Sequence, residues 1–178
     1  HPHARRDREA AAMNVLIPLL TIVVFLGLQS TVASKIAIGG IAPDFIVVCV
    51  ILFGLQRGPI LGSLFGFLAG FLVDLGNPGY LGLNALTKSL VGYAGGRLGS
   101  TASPGTLVLL FVIFLAALGH DIVYSLVYMW PRVDKAFVAI FTHALPSAIY
   151  TALAGIVVER LLALLGATVV TKLGKERQ

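Results

Sequence analysis

The sequence predicts an all-α integral membrane protein of six transmembrane helices, two of them short. Its composition is 57% hydrophobic and 12% charged, with a mean hydropathy of +0.93, which lies outside the usual range of soluble domains. Apolar runs follow one another along the chain and are separated by turns rich in glycine and proline. The basic residues stand at the ends of these runs and form no patch that would suit a nucleic acid.

The membrane domain is expected to occupy residues 13–166. The polar residues 1–12 precede Met13 and are expected to be a disordered leader or a cloning remnant. Residues 167–178 form a basic tail that we expect in the cytoplasm. Cys49, the sole cysteine, lies in an apolar run and is expected to be buried and unpaired.

The first half of the domain is expected to hold three helices, at 14–34, 44–56 and 59–74. The first has about 20 residues, enough to cross a bilayer, whereas the second has about 13 and reaches only about 20 Å. Asp44 follows Pro43 and is expected to cap the second helix. We expect both short helices to span where neighbouring protein covers their ends, a re-entrant hairpin being the alternative.

The second half is expected to hold helices at 80–98, 104–129 and 137–165. Pro104 can open the fifth helix, and residues 130–135 are expected to form the loop before the sixth. Both termini then share one side, which carries nine basic residues against three on the other. This bias favours cytoplasmic termini.

Four glycines recur every fourth residue at the start of the third helix: Gly58, Gly62, Gly66 and Gly70. On an α-helix this spacing places them on one face, because residues i and i+4 are neighbours. Each glycine weakens a helix by about 1 kcal/mol relative to alanine, but in a membrane it lets another helix approach closely. We expect an internal neighbour, the first or fourth helix, at Gly66 and Gly70; a membrane helix of a partner is the alternative.

Ionisable residues inside three of the spans are expected to share one layer. Lys88, Asp121 and His143 each lie roughly 9–12 Å below the outer surface at 1.5 Å per residue, with His120 beside Asp121, and Asn84 one turn above Lys88. The simplest reading is a buried ion pair between Lys88 and Asp121. An outward-facing pocket for a lipid or small ligand, or a proton relay through His143, are the alternatives.

Motifs within residues 43–96 resemble the rod shape-determining protein MreD family. They comprise Pro43-Asp44, Arg57-Gly58-Pro59, the run GSLFGFLAGFLVDL that ends in Asp74 and Leu75, and LGLNAL, which contains Gly82 and Asn84. The resemblance implies a helical arrangement similar to the substrate-binding subunits of energy-coupling-factor vitamin transporters. It also implies a multi-pass protein of the bacterial inner membrane that works with MreC, the actin-like MreB, the glycosyltransferase RodA and a class B penicillin-binding protein.

No enzyme chemistry is expected. The histidines and Asp121 lack a metal-ligand spacing, and no serine stands in a nucleophile-elbow pattern. We therefore expect neither a cofactor nor a metal. Two classes of function remain open: a non-enzymatic subunit of the cell-elongation complex, which supports peptidoglycan synthesis and cell shape, and a small-molecule-binding subunit of a membrane transporter.

Overall fold

The computed structural model describes residues 16–76, 78–101 and 105–164, and within them every regular element is helical. The described residues form six helices. They are α1 (Leu16–Ala33), α2 (Phe45–Arg57), α3 (Pro59–Asp74), α4 (Leu83–Thr101), α5 (Thr106–Tyr128) and α6, which joins Val133–Ala139, a π-helical turn at Ile140–Ala144, and Leu145–Leu164. A second π-helical turn, Gln29–Ala33, ends α1.

Three of these helices are long and apolar enough to cross a membrane: Leu16–Ala33, Thr106–Tyr128 and Asp134–Leu164. The apolar helices α2 and α3 are shorter, as the sequence predicts. Together with the composition, these helices make the chain a membrane protein.

Two helix starts differ from the sequence-based prediction. The fourth helix begins at Leu83 rather than at residue 80, because Gly82 has a φ of 94° and cannot continue the preceding 3-10 turn, Pro78–Tyr80, into an α-helix. The sixth begins at Val133 rather than at 137, so the predicted loop at 130–135 is helical from residue 133. Asp134 lies in its first turn, where a carboxylate suits the positive end of the helix dipole.

The predicted leader and tail, residues 1–12 and 167–178, lie outside the described residues, as does Pro104 at the expected start of the fifth helix.

Helix α2 lies at the centre of the molecule. Its residues from Phe45 to Leu52 are all buried, and α2 contacts each of the other five helices. A helix that is apolar on every side is stable only when protein or lipid surrounds it. The short second helix is therefore enclosed by its neighbours, and Cys49 is buried within it without a disulfide partner.

The glycine face of α3 lies against α4. A Cβ atom built on Gly66 would meet the carbonyl of Lys88, and one on Gly70 would meet the carbonyl of Asn84. The pair Gly62 and Gly92 is reciprocal, since a Cβ on either glycine would meet the carbonyl oxygen of the other. Here the two backbones touch directly, which only residues without side chains permit.

Gly58, the first glycine of the series, has a different role. It joins α2 to α3 with a φ of 87°, a conformation that favours glycine, and the space at its own Cβ position is empty. Its carbonyl carbon instead occupies the place that a Cβ on Gly96 would need. Pro59 then opens α3 at the first helical position.

Candidate functional site

The carboxylate of Asp74 connects the end of α3 to the start of α4. It accepts hydrogen bonds from the backbone N–H groups of Gly82 (2.9 Å), Asn84 (3.2 Å) and Ala85 (3.0 Å), and from the Asn84 side-chain amide (2.9 Å). A carboxylate at a helix N-terminus is stabilised by the free N–H groups and the helix dipole. Asp74 is only 1% exposed, so these four bonds replace its contacts with water.

The ammonium group of Lys88 is buried in α4 and fully hydrogen-bonded. Its Nζ lies 3.0 Å from Asp44 Oδ2, 3.1 Å from Asn84 Oδ1 and 2.9 Å from His120 Nε2. An ammonium group has three N–H donors, and these three acceptors match them one to one. The side chain of Lys88 is 2% exposed, so each donor requires such a partner.

His120 continues the network towards Asp121. Because Nε2 of His120 accepts from Lys88, its proton is on Nδ1, which donates to Asp121 Oδ1 over 3.1 Å. The Asn84 oxygen lies 3.1 Å from the same Nε2, since both atoms accept from the one ammonium group. A continuous chain of hydrogen bonds therefore runs from Asp74 through Asn84, Lys88 and His120 to Asp121.

The expected ion pair between Lys88 and Asp121 is wrong. Lys88 pairs with Asp44, and Asp121 reaches the ammonium group only through His120. The expectation considered only charges within long spans, whereas Asp44 is the N-cap of α2, with Val47 N–H donating to its other carboxylate oxygen over 2.9 Å. One carboxylate thus caps a helix, as the sequence predicts, and also neutralises Lys88.

Two polar residues that the sequence reasoning missed fix the turn at Pro43 and Asp44. Gln29 donates to the Pro43 carbonyl over 3.2 Å and accepts from Phe45 N–H over 2.8 Å. Thr151 of α6 accepts from Asp44 N–H over 2.9 Å. Gln29 and Thr151 each lie inside an apolar span, and an uncharged polar residue there was the available signal.

Beyond Asp121, the network opens into a cavity of about 260 Å³ between the loop after α1, α5 and α6. Asp121, Tyr124, His143 and Ser147 contribute polar side chains to its walls. His143 is exposed and lies outside the buried network, although it shares this cavity with Asp121. Asp121 is 23% exposed and therefore presents a carboxylate to whatever enters. We call this space the outer cavity.

Five of the six motif residues meet in this region. Pro43 and Asp44 stand at the start of α2, and Asp74, Gly82 and Asn84 form the junction between α3 and α4. The sixth, Arg57, lies at the opposite end of α2. Among the residues that the structure describes, no group of three histidine, cysteine or acidic residues could hold a metal ion.

The fold and site define a class: a helical membrane protein with a buried polar network below a cavity at one end. A family model for rod shape-determining protein MreD matches residues 10–167, nearly the whole chain. The chain therefore belongs to the MreD family, whose role is the determination of rod shape. This family consists of structural membrane proteins that are not known as enzymes. No curated protein and no solved structure matches the chain, so the expected likeness to energy-coupling-factor transporter subunits has no support.

Proposed function

We propose that the protein is a non-enzymatic subunit of the bacterial cell-elongation complex that binds MreC and thereby supports peptidoglycan synthesis. The family match over residues 10–167 carries this proposal. RodA, the class B penicillin-binding protein and MreB are then partners, reached directly or through MreC. All six helices cross the inner membrane in this arrangement, the short α2 inside an envelope of protein.

The membrane helix of MreC requires a surface other than the glycine face of α3, because α4 already occupies that face. A groove of about 270 Å³ between α4 and α5 is the better candidate. Ala94, Ala116 and Gly119 line it, and a Cβ built on Gly119 would meet nothing within 4 Å. Small residues let the backbone of a docking helix come close, which is the main source of helix association in lipid.

Gly119→Leu tests this docking site. The new side chain should fill the groove, so retention of MreC on affinity purification from membranes should fall about tenfold, which corresponds to about 1.4 kcal/mol, while the thermal unfolding temperature stays unchanged. Gly27→Leu is the matched control, because Gly27 is an equally open helical glycine on α1. Full retention of MreC by Gly119→Leu would exclude the groove, whereas no retention by the wild-type chain would contradict the proposed function itself.

The proposed orientation places both termini in the cytoplasm. Contacts support one common end for the loops that follow α1, α3 and α5. Tyr80 and Tyr128 have ring centroids 4.8 Å apart, and Gly40 lines the outer cavity with His143. At the other end, Arg160 donates to Thr106 over 2.8 Å.

Cysteine labelling tests this orientation. Residues 77 and 134, changed to cysteine one at a time, should react with a membrane-impermeant reagent added from outside, and residues 57 and 97 should not. The buried native Cys49 should give no background. The reverse pattern would invert the orientation.

A second candidate function is the binding of a small molecule in the outer cavity. Its carboxylate, imidazole and hydroxyl groups are of the kind that orient a polar ligand. Mass spectrometry of the purified protein separates the two candidates: a stably bound small molecule without MreC favours a transporter subunit, and MreC without a small molecule favours the elongation complex.

A further inference from the structure

A second groove lies between α1, α2 and α3, at the end of the molecule away from the outer cavity. It encloses about 400 Å³. Leucine, isoleucine, phenylalanine and proline side chains form its walls, and Arg57 is the single charged residue among them. We call this space the Arg57 groove.

The Arg57 groove has a charged end and an apolar end. Arg57 is the last residue of α2, and Pro18 and Leu61 lie near the starts of α1 and α3. Ile22, Phe53 and Leu68 also line the groove, further along the same three helices. From Leu61 to Leu68 the helix rises by about 10 Å, so an apolar channel of roughly this length leads away from the guanidinium group.

Arg57 is exposed, and no residue among 16–76, 78–101 or 105–164 accepts a hydrogen bond from its guanidinium group or forms an ion pair with it. A guanidinium group presents a planar fork of N–H donors that suits the oxygens of a phosphate. Basic pockets between transmembrane helices on the cytoplasmic side are typical sites for anionic lipid headgroups. The phosphate of an anionic lipid would therefore complement the charge of Arg57.

The walls of the Arg57 groove favour a flexible chain over a helix. Phe53, Leu64 and Phe65 are large and would hold a second helical backbone at a distance, whereas Gly119 leaves the backbone of the α4–α5 groove accessible. A single acyl chain can follow such a surface and gain contact with these side chains along its length.

We propose that the Arg57 groove binds one anionic phospholipid, with its phosphate on Arg57 and one acyl chain along Leu61, Leu64 and Leu68. The site is independent of the docking of MreC, which uses the groove between α4 and α5 in the proposal above. With the termini in the cytoplasm, the lipid belongs to the inner leaflet.

Native mass spectrometry of the full chain tests this site. Protein in mild detergent is supplied with equal amounts of phosphatidylglycerol and phosphatidylcholine, and the lipid that remains bound is counted. We expect one molecule of phosphatidylglycerol on the wild-type chain. Arg57→Gln should weaken the binding of phosphatidylglycerol about tenfold, the loss of one charge-assisted contact, and that of zwitterionic phosphatidylcholine by less, because its choline cation offsets the charge of its phosphate. Arg57→Lys should retain part of the preference, because the positive charge remains.

Leu64→Trp should weaken the binding of both lipids, because the indole fills the apolar part of the Arg57 groove without a change of charge. Two controls are matched: Arg160→Gln removes an arginine that is 63% exposed and outside the groove, and Phe67→Trp places an indole on another exposed position of α3. Both should bind lipid as the wild type does. The proposal is overturned if Arg57→Gln keeps its preference, if Leu64→Trp has no effect, or if the wild type retains lipid only after removal of residues 1–12, since the groove would then hold another occupant.

Discussion

Glycines of the helices on the two sides of α4 have opposite surroundings: Gly66 belongs to α3 and Gly119 to α5. On the side that faces α3, a Cβ on Gly66 would strike the backbone of α4, so the two helices are in direct contact. On the side where α4 and α5 leave a groove, a Cβ on Gly119 would meet nothing within 4 Å. A glycine in a membrane helix therefore indicates a close approach only where a second helix already lies against it; at Gly119 none does, and the backbone stays accessible from the groove.

Gly66→Leu should have the largest effect, because it disrupts the contact between α3 and α4, which we call the closed side. The carbonyl of Lys88 occupies the space that the new Cβ needs, and a backbone atom cannot rotate away as a side chain can. Overpacking against side chains typically costs 1–3 kcal/mol, so a clash with backbone at the centre of the α3–α4 contact should prevent folding. We expect little or no monodisperse protein by size-exclusion chromatography.

Gly119→Leu is the control for this experiment, since it places the same side chain on an open helical glycine. It should yield folded protein at the wild-type level. A folded Gly66→Leu protein with an unchanged unfolding temperature would mean that α3 and α4 are not in direct contact in the membrane.

The difference between the two sides also marks what the sequence could predict. The i, i+4 spacing from Gly62 to Gly70 identifies a flat face, because helix geometry alone places these residues in line. It does not identify the neighbour, which the carboxylate of Asp74 decides by holding the start of α4 next to the end of α3. Gly119 has no such spacing, so its groove could not be found from the sequence.

The polar layer shows the same limit. The depth of each residue along its helix, calculated from the constant rise per residue, predicts that Lys88, Asn84 and Asp121 lie in one region. Rotation about each helix axis decides which of them touch, and the sequence leaves it open. In the structure His120 lies between Lys88 and Asp121, and Asp44 is the partner of Lys88.

Breaking the ion pair between Lys88 of α4 and Asp44 at the start of α2 should have the next largest effect. Lys88→Met leaves Asp44 without its cation, and removal of one partner of a buried pair typically costs 3–5 kcal/mol. Asp44 is 21% exposed, so we expect the lower end of that range in the free energy of unfolding. The double change with Asp44→Asn should cost less than the two single changes together.

A double-mutant cycle of Lys88→Met with Asp121→Asn provides the comparison for the pair of Lys88 and Asp44. Because Asp121 contacts Lys88 only through His120, its coupling to Lys88 should be smaller than that of Asp44. Additive effects for Lys88 and Asp44, with strong coupling between Lys88 and Asp121, would restore the pairing that the sequence suggested and contradict the structure.

The hydroxyl contact between Ser63 of α3 and Ser89 of α4 should have the smallest effect. Their oxygens lie 2.8 Å apart in the middle of the closed side, and both side chains are half-buried. Hydrogen bonds between membrane helices contribute about 0.6 kcal/mol on average, because the separated helices find other partners. Ser63→Ala, Ser89→Ala and the double change should therefore show a coupling of about this size in the free energy of unfolding. A coupling as large as that of Lys88 and Asp44 would mean that this hydroxyl contact is a main link between α3 and α4, whereas a coupling near this small value leaves their association to the glycine contacts and to the hydrogen bonds of Asp74.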